Sequence, residues 1–270
     1  MNKRELLFCV FALGAAASLH SQERERILLP IATNLPGAYG SFWVTRFTVV
    51  NGLDRPLVQN EDAGPFGGCL FPGVCETPPV PSNTAFEPVL YSSSSPQVHR
   101  PGAVIYARRA IADRLHFSLR VQDTSRQAFT WGTEIPVVRE RQLRTGKIVL
   151  PNVPLDGRFR QSLRVYEVDD TTAACDRVMV RVFDQQSGAT LGARELELRG
   201  LNDGPCNASS PESVPGFPNY AQIHGIGQLL TVSAPDVVGV EITPVTSFRF
   251  WAFISVTNNE TQHVTTITPQ

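Results

Sequence analysis

From Phe248 to Val256, apolar Phe248, Phe250, Ala252, Ile254 and Val256 alternate with Arg249, Trp251, Phe253 and Ser255. A period of two marks a strand with one face in a core, because successive side chains leave a pleated strand on opposite sides. The same alternation runs through Leu115, Phe117, Leu119 and Val121, with His116, Ser118, Arg120 and Gln122 between them. Shifting the chain by 135 positions lays Leu119 on Ile254, Val121 on Val256, Asp123 on Asn258, Gln127 on Gln262 and Thr130 on Thr265. A strand, a polar turn and a returning Thr-rich strand therefore occur twice.

Two further landmarks recur in the same order. Ile27-Leu28-Leu29-Pro30 returns as Ile148-Val149-Leu150-Pro151, and Gly40-Ser41-Phe42-Trp43-Val44-Thr45 corresponds to Gly157-Arg158-Phe159-Arg160-Gln161-Ser162. The offset changes between landmarks, so the loops differ by insertion while the strands are kept. In the first half, strands are expected near 27–32, 42–51, 86–91, 103–109, 115–122 and 129–138. In the second they are expected near 147–151, 159–168, 177–184, 191–198, 219–223, 228–233, 237–243, 248–257 and 262–268. No stretch has helical periodicity over three or more turns. The expected fold is all-β: two tandem antiparallel β-sandwich domains of immunoglobulin-like type, 23–144 and 145–270, joined at the charged, non-alternating stretch Arg139 to Thr145.

Residues 1–22 read as a signal peptide. Lys3 and Arg4 precede an apolar run from Leu6 to Leu19, and polar His20, Ser21 and Gln22 follow. The run is too short to span a bilayer, and no later segment reaches spanning length. The expected location is therefore secreted, periplasmic or at the cell surface. Loss of Cys9 with the signal leaves Cys69, Cys75, Cys175 and Cys206, an even number suited to an oxidising compartment. Of the three possible pairings, the local one is preferred, Cys69 with Cys75 and Cys175 with Cys206. Zinc fits poorly, because a Cys-x5-Cys spacing and a distant second pair match no finger. A formal net charge of −1 provides no global basic field for nucleic acid.

The segment from Asn60 to Pro101 is crowded with Pro, Gly and Ser and reads as a long loop, the kind of connection on which binding is commonly placed. Within it, Cys69 to Cys75 would close a small ring holding Leu70, Phe71 and Val74, which either pack on the sandwich or present themselves to a partner. Trp43, Trp131 and Trp251 lie on or beside expected strands and offer flat apolar faces for sugars. By alternation, Trp251 and Phe253 face away from the Phe250/Ile254 core, so the other domain, a loop or a partner must cover them; packing between the domains is the preferred answer.

Chemistry is thinly represented. There is no Gly-x-Ser-x-Gly elbow, and His99, His116, His224 and His263 are scattered, with no metal-binding pair. His116 falls on the outer face of its strand, and His224 sits in the glycine-flanked Ile223-His224-Gly225-Ile226-Gly227. Asp169, Asp170, Asp176, Asn202 and Asp203 could donate oxygen to calcium but follow no EF-hand pattern. No catalytic residue, metal or cofactor is assigned.

Leu29-Pro30, the run Pro36-Gly37-Ala38-Tyr39-Gly40-Ser41-Phe42-Trp43-Val44-Thr45 leading to Asn51, and the closing Trp251-Ala252-Phe253-Ile254-Ser255-Val256-Thr257-Asn258-Asn259-Glu260-Thr261 resemble segments of poorly characterised exported bacterial proteins with tandem β-sandwich repeats. The resemblance implies location and fold class and supplies no activity. The expected function is a non-catalytic structural, adhesive or protein-binding module. The alternatives are a carbohydrate-binding module that uses exposed Trp and, further off, a hydrolase.

Overall fold

The computed structural model describes residues 24–64, 78–88, 98–100, 102–125, 131–168, 175–200 and 218–269. In the first half, β1 (Arg24–Leu29), β2 (Ala32–Pro36), β3 (Phe42–Asn51), β4 (Ala63–Gly64), β5 (Ala85–Phe86), β6 (Val98–Arg100) and β7 (Ala103–Arg108) precede a single helical turn, α1 (Arg109–Ala112). After it come β8 (Leu115–Asp123), β9 (Thr133–Ile135) and β10 (Val138–Arg139). The second half holds β11 (Ile148–Pro154), β12 (Phe159–Glu167), β13 (Arg177–Phe183), β14 (Thr190–Glu197), β15 (Asn219–His224), β16 (Val237–Pro244), β17 (Phe250–Asn258) and β18 (Val264–Ile267). The chain is all-β, and every pairing between these strands is antiparallel.

Four sheets result. Sheet I has the order β10-β1-β7-β4, and sheet II the order β6-β2-β3-β8-β9 with β5 on β3. Sheet III is β11-β16-β13-β14, and sheet IV is β15-β12-β17-β18. Each half hides one core. In the first, Ile27, Leu29 and Ile105 of sheet I join Phe47, Val49, Leu119 and Val121 of sheet II. In the second, Ile148, Val180, Val240 and Ile242 of sheet III join Leu163, Val165, Ile254 and Val256 of sheet IV. Alternating apolar side chains on facing strands are what two packed sheets require.

The pairing order of the landmarks is the same in both halves. β1 pairs with β7 as β11 pairs with β16, and β3-β8-β9 pair as β12-β17-β18 do. Leu119 lies opposite Phe47 and Ile135, and Ile254 lies opposite Leu163 and Ile267.

Most expected strands fall within a residue or two of their observed bounds. The strand expected near 129–138 is two short pieces, β9 and β10, and the one expected near 228–233 is absent. Its place is taken by a 3-10 turn, Ile226–Leu229, entered through Gly225 at φ 81°. Ile226 and Leu229, three apart, are both buried, which suits a three-residue turn and not a period of two. That turn also explains Gly192 of β14. A Cβ there would stand 1.8 Å from the Leu229 carbonyl oxygen, and Thr231 N–H donates to Leu191 O at 3.0 Å beside it. Because backbone cannot yield as a side-chain tip does, Gly192→Ala is expected to cost about 2 kcal/mol or more in urea denaturation.

Candidate functional site

Strand β17 is buried along eight consecutive residues, so both of its faces are covered. Ala252, Ile254 and Val256 enter the second core, while Trp251 and Phe253 join the first-half core together with Tyr166 and Val168 of the neighbouring β12 segment. Trp251 is 6 % exposed and Phe253 0 %. Three contacts trace the seam along β12. Arg26 donates to Val168 O at 2.5 Å, the Tyr166 hydroxyl donates to Pro30 O, and the Arg160 guanidinium stands 5.5 Å from the Tyr39 ring centre. Sheet IV therefore lies against the side of the first sandwich where the chain passes from β1 to β2. This removes Trp251 and Phe253 from the candidate contact residues, because the other half of the same chain covers them. Tyr166, Phe253 and Trp251 stack in series at 6.4 and 5.3 Å between ring centres, a geometry that adds stability beyond buried area alone.

Polar groups fasten the same seam. Arg144 and Phe250 exchange both backbone hydrogen bonds at 2.9 Å, and the Thr133 hydroxyl donates to Val264 O at 2.7 Å, joining the edge strands β9 and β18. Glu140 accepts from Arg26 N–H at 3.1 Å and from the guanidinium groups of Arg249, Arg109 and Arg26 at 3.0, 3.4 and 3.5 Å. The stretch expected as a linker is thus built into the interface. A cleft of about 410 Å³ remains there, lined by residues that include Val137, Arg141, Arg144, Trp251 and Pro269.

The aromatic side chains left open are others. Trp131 is 79 % exposed and Tyr39 61 %. Register places both at one end of sheet II, because Phe42 follows the turn carrying Tyr39, Trp43 pairs with Asp123, and Thr133 pairs with Val121. Each sits on a fixed backbone. Arg120 donates to the carbonyls of Trp131 and Gly132 at 2.7 and 3.3 Å, and Tyr39 holds a left-handed φ of 57° in a 3-10 turn. Trp43 is half-buried against the first core, its ring so close to Gly37 that a Cβ there would lie 2.4 Å from it.

Leu70, Phe71, Val74, Cys69, Cys75 and Cys206 lie outside the described residues, as do Asp169, Asp170, Asn202 and Asp203. Cys175 is one half of a disulfide. The described flanks of the long loop are pinned. Asn51, fully buried, donates through Nδ2 to the carbonyls of Arg55, Val80 and Pro81 and accepts from Leu53 N–H. Leu57 and Val80 form a bridge. Asp62 takes both arms of the Arg55 guanidinium at 2.6 and 2.9 Å, and that pairing holds its carboxyl below the usual range. Asp176 accepts from the Thr246 hydroxyl at 2.6 Å, a structural role, and no cluster of metal-ligating side chains occurs among the described residues.

Farther along sheet IV from the aromatic rows, its seam face turns polar. Ser162 pairs with His224 and Ser255, and Arg164 pairs with Gln222 and Phe253, so these side chains share one face. The Ser162 hydroxyl shares a 3.1 Å hydrogen bond with His224 Nδ1, and Arg164 donates to Ser255 Oγ at 3.0 Å with its guanidinium 5.7 Å from the Phe253 ring centre. Burial, and then the Arg164 charge, hold the His224 imidazole below its ordinary pKa of 6.5, and burial pulls the Arg164 pKa down. A Ser-His pair becomes a nucleophile and base when a third group orients the imidazole and donors await an oxyanion. Among the described residues no carboxylate contacts His224, so the pair lacks that third member.

The chain matches no protein-family model, no curated protein and no solved structure.

Proposed function

We propose that this chain is an exported, non-catalytic binding protein made from two copies of one β-sandwich module, the second copy serving as a rigid support for the first. The repeated landmarks and the shared pairing order support duplication. The apolar run Leu6 to Leu19 supports export, and no helix among the described residues is long and apolar enough to cross a membrane. The tandem-sandwich resemblance points the same way. A bridge between Cys175 and Cys206 fits this setting.

The observation that carries the reading is the division of the aromatic residues. Trp251 and Phe253 lock the halves together, while Trp131 and the outer part of Tyr39, whose ring also meets the Arg160 guanidinium, are exposed on pinned backbone at one end of sheet II. Exposed, preorganised Trp and Tyr supply contact area at low entropic cost, which is how binding surfaces use them. We assign contact with a protein partner to this end and, as a second region, to the segment from Asn60 to Pro101, whose described parts include the short strands β4, β5 and β6 and whose Phe71 lies outside the described residues. A pull-down from the organism's own cell-surface fraction is expected to lose its partner on deletion of Gly67 to Glu76. Binding that survives that deletion and a Tyr39→Ala, Trp131→Ala double variant defeats the proposal.

The exposure of Trp131 favours a second reading, stacking on a sugar. Trp131→Ala is expected to change stability by no more than about 0.5 kcal/mol, since so exposed a ring contributes little to packing. On a glycan array it should abolish any signal that the wild type gives. Array binding unchanged by Trp131→Ala would sink the carbohydrate reading.

A further inference from the structure

We propose that the polar row of sheet IV is a binding site for a small oxyanion, a carboxylate or a phosphate, held in the seam between the two halves by Arg164 and Gln222. Arg164 is half-buried and makes one hydrogen bond, to the Ser255 hydroxyl, and no ion pair among the described residues. A guanidinium carries five donors and is costly to desolvate without an anion, so sites of this kind are built for carboxylate or phosphate. Gln222, directly opposite on the same face, has its Nε2 buried with no hydrogen-bond partner. A buried donor left unmet is destabilising unless a ligand acceptor meets it. Two unsatisfied donor groups side by side describe the outline of an acceptor.

Among the described residues, no acidic side chain pairs with Arg164. Along β12, Arg164 falls between Tyr166, which reaches Pro30, and Arg160, which reaches Tyr39, so the facing segment is Pro30 to Tyr39. The chain contains no Asp or Glu from Ile27 to Thr45. The other side chains on the row are Ser162, Ser255, Phe253 and His224, none anionic. The Phe253 ring forms an apolar floor, and exposed His224 on the edge strand β15 leaves the row open to solvent at one end. The His224 pKa is lowered first by burial and then by the Arg164 charge. The site is independent of Tyr39 and Trp131 as contact residues, and its failure would leave that reading untouched.

The test is a pair of titrations of the full mature chain at fixed ionic strength and pH 7, one with inorganic phosphate and one with acetate. The readouts are the His224 imidazole NMR resonances and the thermal midpoint. Binding to the folded chain alone must raise the midpoint. The wild type is expected to show a saturable shift in at least one arm: a response to acetate only names a carboxylate ligand, to phosphate only a phosphate, and to both the shared oxyanion chemistry. Arg164→Met should weaken the response at least tenfold, and Gln222→Leu severalfold. Arg164→Lys, which keeps the charge and loses the fork, should fall between wild type and Met. Arg46→Met, at a surface pair with Glu87, should leave it unchanged. If Arg164→Met does not fold, the Lys variant and the wild-type His224 shifts decide. No saturable response in either arm, or an equal response in wild type and the Arg164 variants, overturns the site.

Discussion

Phe253→Ala is expected to split the unfolding of this protein into two calorimetric transitions, against one expected for the wild type. Phe253 is fully buried, yet its side chain lies outside the core of its own sandwich, among Trp251, Tyr166, Arg164 and the first-half cluster. Truncating a buried Phe removes about 3–5 kcal/mol, part transfer and part cavity. Here that loss falls on the interface that makes the halves unfold together. The contrasting substitution is one residue away. Ile254→Ala empties space in the second core, on the opposite face of β17, and should destabilise that half while leaving the seam intact. A single unshifted transition in Phe253→Ala would mean that the seam contributes nothing to cooperativity. The same two-transition signature in both variants would mean that the faces of β17 are not separable.

The same strand shows what the sequence could and could not disclose. Alternation along 248–256 located β17 and assigned its core face correctly, because Phe250, Ala252, Ile254 and Val256 do point into the second sandwich. The outer residues of an ordinary strand would be polar, and Trp251 and Phe253 broke that rule. The break was a legible sign of a second covered face, in the way strands buried on both sides read as continuous apolar runs. Which surface would cover it was not legible, since the answer lies in Tyr166, Pro30 and Arg26, more than eighty residues away along the chain. Arg164 was hidden for a related reason. In one dimension it is an Arg on the outer face of an alternating strand, where a solvated charge is the ordinary expectation. Only the pairing of β12 with β15 and β17 sets it beside Gln222 and over Phe253. The 3-10 turn at Ile226–Leu229 escaped because Leu229, Leu230 and Val232 have strand-like composition, while the burial that decides the matter is set by the fit of Leu229 O against Gly192.

Glu140→Gln should cost about 2–3 kcal/mol and flatten the acid limb of the stability curve. Burial alone would raise the Glu140 pKa, but the Arg26 backbone N–H, the Arg249 guanidinium and the Arg26 charge outweigh it, and the carboxyl titrates below its ordinary 4.5. A carboxylate whose folded pKa is depressed contributes stability that is fully present above the unfolded value and is lost as pH falls through the folded one. The wild type should therefore lose stability progressively below about pH 4.5, with Asp62, held down first by the Arg55 hydrogen bond, adding to the same limb. Glutamine keeps an acceptor for the Arg26 N–H and removes the charge, leaving Arg26, Arg109 and Arg249 to face one another across the seam. Removing one partner of a fully buried pair costs roughly 3–5 kcal/mol. The smaller figure expected here reflects the exposure of Arg249 and Arg109, whose side chains are 36 % and 53 % accessible and so partly screened by water. The check is urea denaturation of wild type and Glu140→Gln at pH 7 and again at pH 3.5. The difference between the two proteins should be largest at pH 7 and shrink at pH 3.5, below the ordinary value, where the unfolded chain takes up a proton that the folded carboxylate resists. A gap that stayed constant with pH would show that the glutamine acts through packing and not through charge.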